Sequence, residues 1–193
     1  MVKIYQIPLE GCLDEGEKVI LAGGILVYPT DTLYGLGVDA RSSSAVERLG
    51  QVKGRGGPWS VVVCDLNMLN RYARVPEDKK PFVNSHLPGK ATLILPARLS
   101  DLSPAVMGGR QTVGIRIPRH PFPVDLTRRL GFPITTTSVN RTGQDPLNDP
   151  ERIARVFGDD VDLIAHVGPL PRSRGSRIYD LTGKKINVVR DSR

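Results

Sequence analysis

Two cations stand two residues apart in the glycine-rich segment KGRGGPWS (53–60), namely Lys53 and Arg55. Glycine backbone lets an anion approach closely, and two such cations can converge on one phosphate group. The same segment also reads as an ordinary turn. A third cation, Arg116, lies inside TVGIRIP (112–118), an otherwise apolar stretch of strand type. An inward guanidinium is costly unless paired, so Arg116 must find an acid, a carbonyl or an anionic ligand. TTTSVN (135–140) ends a run of hydroxyl and amide side chains broken only by Val139. Small donors at the end of a strand suit nucleotide or amino-acid recognition, and they equally suit a hydroxyl-capped turn. PTDTLYGLG (29–37) closes an apolar run with Thr30, Asp31 and Thr32, then uses Tyr34 and two glycines. That composition suits a grip on a small polar molecule.

Other chemistries are disfavoured. LPGKAT (87–92) resembles the end of a phosphate loop, but Asn84 stands where glycine is needed and Ala91 where Ser or Thr is needed. Gly35-Leu36-Gly37 lacks the third glycine of a dinucleotide fingerprint. Cys12 and Cys64 are far apart with no CxxC, and His86, His120 and His166 are isolated. No protein-held metal is expected. A Mg²⁺ ion carried by a phosphate ligand needs few protein ligands and stays compatible.

The chain has 193 residues, about one domain's worth, so 1–193 is expected to form a single domain. Net charge is +7, and residues 170–193 carry +5 of it: Arg172, Arg174, Arg177, Lys184, Lys185, Arg190 and Arg193 against Asp180 and Asp191. Such an excess favours nucleic acid or a polyphosphate nucleotide, or it is simply a solvated basic surface. No apolar run approaches the roughly 18 residues of a membrane helix. MVKIYQIPLEGC shows no secretory apolar region, and the expectation is a cytoplasmic protein without membrane attachment.

These residues need elements to position them. Strands are expected over Val2–Ile7, Ile25–Tyr28, Trp59–Cys64, Ala91–Leu95, Thr112–Ile117, Ile134–Thr137, Asp162–Val167, Arg177–Leu181 and Ile186–Val189. Helices are expected over Leu13–Leu21, over a segment capped at Ser42–Ser44 with Ala45, Val46, Leu49 and Val52 inward, over Lys79–His86, over Phe122–Leu130, and after Asp149-Pro150. The mixture predicts an α/β (α+β) fold, a sheet flanked by helices. The last strands arrive without helices between them, which predicts some antiparallel pairing.

Taken in order, PTDTLYGLG, KxR (Lys53, Arg55), LPGxxT, VGIRxP, SxN (Ser138, Asn140) and SRIYDLT resemble the YrdC-like family from Gly24 to about Arg190. Its characterised members are threonylcarbamoyl-AMP synthases. The resemblance implies a twisted mixed β-sheet flanked by helices with a basic concave groove. It implies a reaction of L-threonine, bicarbonate or CO₂ and ATP, giving threonylcarbamoyl-AMP and pyrophosphate. A downstream threonylcarbamoyl transferase then modifies tRNA. Both reactants are anionic, so cations must offset their repulsion. On the resemblance, Lys53 and Arg55 take the phosphates and are the catalytic pair. Thr112, Ser138, Asn140 and Arg190 join them in holding ATP. Thr32, Arg116, Thr136 and Ser176 bind L-threonine. No residue is expected to act as a nucleophile; positioning and electrostatics carry the reaction.

The chain departs from the family pattern at several points. Only Gly56 and Gly57 separate Arg55 from Pro58, where the family has about four residues. Many members carry a histidine near Val62, SAN is SVN here, STV is Ser176-Arg177-Ile178, and Asp191 follows Arg190 in place of a Pro-Gly or similar pair. The chain resembles the short, single-domain type. VVVCDLNMLNRYA (61–73) and VDLIAHVG (161–168) are also similar to the YciO-like branch, which implies a nucleotide-binding alternative without the synthase reaction. A non-catalytic RNA-binding protein using the basic groove, or a carbamoyl-transferring relative, are further alternatives.

Overall fold

A computed structural model describes residues 2–7 and 11–191. Arg193, counted above in the C-terminal charge excess, lies outside them. Among the described residues are ten strands in one mixed sheet and seven α-helices. The first half runs β1 (Lys3–Gln6), α1 (Cys12–Leu21), β2 (Leu26–Pro29), β3 (Tyr34–Gly37), α2 (Ser43–Lys53), β4 (Ser60–Val62), α3 (Leu66–Tyr72) and α4 (Lys80–His86). The second runs β5 (Ala91–Pro96), α5 (Pro104–Met107), β6 (Thr112–Arg116), α6 (Pro121–Leu130), β7 (Ile134–Ser138), α7 (Pro150–Phe157), β8 (Leu163–His166), β9 (Arg177–Asp180) and β10 (Asn187–Arg190).

The sheet order is β1-β8-β2-β3-β7-β4-β6-β5-β9-β10. Antiparallel pairing joins β9 to β10 as expected, but β9 also lies parallel to β5, and β8 lies parallel to both β1 and β2. The central strands alternate between two buried cores. Ile25 and Val27 point to the face covered by α2, α3 and α7, where they join Leu49, Leu69 and Phe157. Leu26 and Tyr28 point to the opposite face and join Ile20 of α1 with Phe122 and Leu126 of α6. A strand buried on both faces has no polar side to show, which is why residues 25–28 form an unbroken apolar run.

Local signals start and stop the helices. The Ser42 side chain accepts from the Ala45 N–H to begin α2, and Asp149 accepts from Glu151 and Arg152 to begin α7 with Pro150 at its first position. Gly54 and Gly131 end α2 and α6 in the left-handed region, at φ 71° and 74°.

Sequence reasoning missed three elements. The sequence of β3 reads only as a glycine-rich grip, because glycine is a weak strand former. Its two glycines have a packing cause. A Cβ at Gly37 would lie 2.6 Å from the Tyr28 ring, and one at Gly35 would lie 3.2 Å from it. Tyr28 therefore lies across its neighbour strand and donates from its hydroxyl to the Thr135 carbonyl at 2.9 Å. The short helices α3 and α5 carry their own start signals, Asp65 accepting from the Met68 N–H and Ser103 preceding Pro104. Among the described residues no helix is long and apolar enough to cross a membrane.

Candidate functional site

A cavity of about 430 Å³ opens where the ends of β3, β7, β6 and β5 meet the end of α2 and the start of the β9 segment. This is the size of a small-molecule site. Every residue that the family resemblance assigns to the site lines it: Thr32, Lys53, Arg55, Thr112, Arg116, Thr136, Ser138, Asn140, Ser176 and Arg190. They come from six separate segments, so only the folded sheet brings them together. The lining holds five cationic side chains and, among the described residues, no acidic one. Such a cavity concentrates positive potential and selects anions.

Lys53 and Arg55 enter different surroundings. Lys53 is the last residue of α2 and is 3% exposed. Its ammonium donates to the Ser138 carbonyl at 2.7 Å, the Asn140 carbonyl at 2.6 Å and Asn140 Oδ1 at 2.8 Å. Its three protons are thus all held by protein oxygens. Burial, with Arg55 nearby, pushes the group down to about 8. The left-handed Gly54 then turns the chain outward. Arg55 is exposed, stacks with its guanidinium carbon 4.1 Å from the Trp59 ring centre, and donates to the Gly56 carbonyl at 2.7 Å.

Ser138 and Asn140 belong to the same knot. The Ser138 hydroxyl donates to Asn140 Oδ1 at 2.5 Å, and Asn140 Nδ2 donates to the carbonyls of Arg141 and Gln144 at 3.0 and 2.7 Å. Thr142 closes it by donating from both its N–H and its hydroxyl to the Lys53 carbonyl at 2.9 Å. The TTTSVN segment is more than a capped turn: its last residues anchor the end of α2.

Arg116 is 6% exposed and finds the acid that its apolar strand demanded. One terminal nitrogen donates to Asp31 Oδ1 at 2.9 Å and to Thr32 Oγ1 at 3.3 Å. Its Nε is buried with no hydrogen-bond partner. Burial pushes the guanidinium down and Asp31 opposes that shift. The sequence names Asp31 only as part of the PTDTLYGLG grip; the structure makes it the counter-ion of Arg116. Beside this pair, Thr30 and Thr32 hydroxyls lie 3.2 Å apart. Across the cavity, Thr92 and Ser176 hydroxyls lie 2.7 Å apart, and Arg190 donates from Nε and Nη2 to the Ser176 carbonyl at 3.0 and 2.8 Å. Arg110 and Trp59 also line the cavity and were not foreseen.

The chain is similar to several known proteins. A family model for the Sua5/YciO/YrdC domain, described as telomere recombination, matches residues 18–192. A threonylcarbamoyl-AMP synthase of Idiomarina loihiensis is 38% identical over 146 residues, 73% of this chain and 78% of that protein. The structure of Sua5 from P. abyssi complexed with L-threonine superposes with a TM-score of 0.90 at 25% identity; all of this chain is covered, but only 57% of that one. YciO from E. coli superposes with a TM-score of 0.91 at 28% identity, covering all of this chain and 96% of that one. By the extent of the match and the identity to its relatives, the chain belongs to the Sua5/YciO/YrdC family.

Proposed function

We propose that this protein is an L-threonylcarbamoyladenylate synthase, working as a single cytoplasmic domain on ATP, L-threonine and bicarbonate or CO₂. The observation that carries the reading is the acid-free cavity in which five cations meet a cluster of threonine and serine hydroxyls. The relatives named threonylcarbamoyl-AMP synthase support it.

On this reading the buried end of the cavity takes L-threonine, with Arg116 facing its carboxylate and Thr32, Thr136 and Ser176 its polar groups. The amine adds to CO₂ and loses a proton, giving a carbamate. A carbamate oxygen attacks the α-phosphorus of ATP, the bond to the bridging oxygen breaks, and pyrophosphate leaves. Threonylcarbamoyl-AMP remains, ready for a downstream transferase that acts on tRNA. Arg55 meets the phosphates, Thr112 and Arg190 hold the nucleotide, and Lys53 contributes positive field while fixing Ser138 and Asn140. Any Mg²⁺ ion would arrive on the nucleotide, since among the described residues no carboxylate lines the cavity. Charge neutralisation and alignment, with no covalent intermediate, are sufficient chemistry for this step.

The test is pyrophosphate release from ATP with mass detection of the adenylate, with and without L-threonine and bicarbonate. Release that needs both, together with the adenylate mass, is the expected result. Folded protein that binds ATP but forms no adenylate would overturn the reading in favour of a YciO-like nucleotide-binding role. Strong, salt-steep RNA binding without turnover would favour an RNA-binding role instead.

A further inference from the structure

We propose that Arg110 is an additional phosphate-contacting residue, acting with Arg55 as a two-cation clamp on the outer phosphates of the nucleotide and on the departing pyrophosphate. The inference rests on the synthase reading above and adds a residue to it.

The geometry begins with the short connection after Arg55. A Cβ on Gly57 would fall 2.5 Å from the Ala105 carbonyl oxygen, and one on Gly108 would fall 2.9 Å from both the Gly57 carbonyl carbon and the Pro58 nitrogen. The two backbones therefore touch with no room for a side chain. The Trp59 N–H donates to the Val106 carbonyl at 2.8 Å and fastens the same contact. Helix α5 stops there, with Gly108 and Gly109 at φ 56° and 77°, and the chain reverses into Arg110, Gln111 and the first residue of β6. The turn that carries Arg55 and the turn that carries Arg110 thus form one packed unit on the cavity's rim. Both arginines are exposed, and both line the cavity.

Each of the other cations of the lining already makes at least one side-chain hydrogen bond. Lys53 is held by three oxygens, Arg116 by Asp31 and Thr32, Arg190 by Ser176, and Arg55 by Gly56 and the Trp59 face. Among the described residues, Arg110 alone of the five makes no side-chain hydrogen bond or ion pair. Its five donors are available to an anion. The chemistry sets which anion. The carbamate forms at the buried end beside Arg116, so the α-phosphorus lies toward that end and the β- and γ-phosphates toward the rim. Charge accumulates on the leaving pyrophosphate as the bond breaks, where a planar guanidinium gives bidentate stabilisation.

The test compares wild type, Arg110→Ala, Arg110→Lys and a control at an exposed arginine outside the cavity, Arg155→Ala. Affinities for ATP, AMP and pyrophosphate are measured calorimetrically, with the Michaelis constants for ATP and L-threonine. Arg110→Ala is expected to weaken ATP and pyrophosphate about tenfold, leaving AMP and L-threonine unchanged. Arg110→Lys is expected to fall between, because lysine keeps the charge and loses the fork. Wild-type affinity for ATP and pyrophosphate in Arg110→Ala, or an equal loss for AMP, would overturn the clamp. A wild type that binds ATP yet makes no adenylate would sink the synthase reading alone, since the ATP-against-AMP difference still judges Arg110.

Discussion

The Lys53 ammonium and the Asn140 side chain meet across 87 positions of sequence, Nζ to Oδ1 at 2.8 Å. The KxR and SxN motifs are therefore two halves of one cross-link, which ties the end of α2 to the end of β7. Arg55, two residues on, is exposed and spends one hydrogen bond on the Gly56 carbonyl, and on the proposed function it is the member of the motif that meets substrate. One motif thus places a buried cation in the cross-link and an exposed one beside the cavity.

This division separates the two cations experimentally. Asn140→Ala or Lys53→Met breaks a buried, charged hydrogen-bond cluster and is expected to cost about 1–3 kcal/mol of stability as well as turnover. Urea unfolding measures it. Wild-type stability in both variants would mean the cross-link bears no structural weight.

Arg55→Ala should behave differently. Its side chain is exposed and its contacts are one carbonyl and one ring face. Unfolding stability should stay within about 0.5 kcal/mol of wild type while ATP turnover is lost. Retained turnover would reject Arg55 as the phosphate ligand.

The depressed Lys53 value has a defined consequence. Between about 8 in the folded protein and the ordinary 10.5, the unfolded chain holds the proton and the folded chain does not. Stability contributed at this site must then rise with pH across that window, having been lowest while the buried charge persisted below it. The stability difference between wild type and Lys53→Met, followed from neutral pH upward, should shift in favour of wild type above pH 8. A flat difference would show that the three oxygen acceptors keep the ammonium charged against its burial.

Asp31 and Arg116 form a buried pair, with side chains 10% and 8% exposed. Removing the acid strands a buried cation, so Asp31→Ala should destabilise by about 3–5 kcal/mol. Asp31→Asn keeps an acceptor and should cost less. Arg116→Ala should chiefly raise the Michaelis constant for L-threonine, leaving ATP affinity in place. An unchanged threonine dependence would remove Arg116 from that role.

Gly37→Ala tests the packing of Tyr28 over β3. The new methyl would collide with the ring at 2.6 Å and with the Thr135 carbonyl at 3.1 Å. A loss of about 1–3 kcal/mol is expected, and it should shrink when Tyr28 is also replaced by Leu. Additive losses would show that the ring does not set the need for glycine.

Much was readable in the residues themselves. Hydrophobic period, caps and glycine stops determine most strands and helices, because those signals act within a few neighbours of each residue. The need of Arg116 for a partner was also legible, since an arginine in an apolar strand admits few fates. Its partner was not, because Asp31 stands 85 positions away and meets it only when β6 and the turn after β2 are assembled. The same holds for Tyr28, whose ring turns two glycines from a turn signal into a strand. It holds most of all for the five cations. The sequence alone determined their type, charge and spacing. The tertiary structure decided which were spent on protein oxygens and which stayed open to an anion, because that depends on the acceptors that other segments bring within about 3 Å.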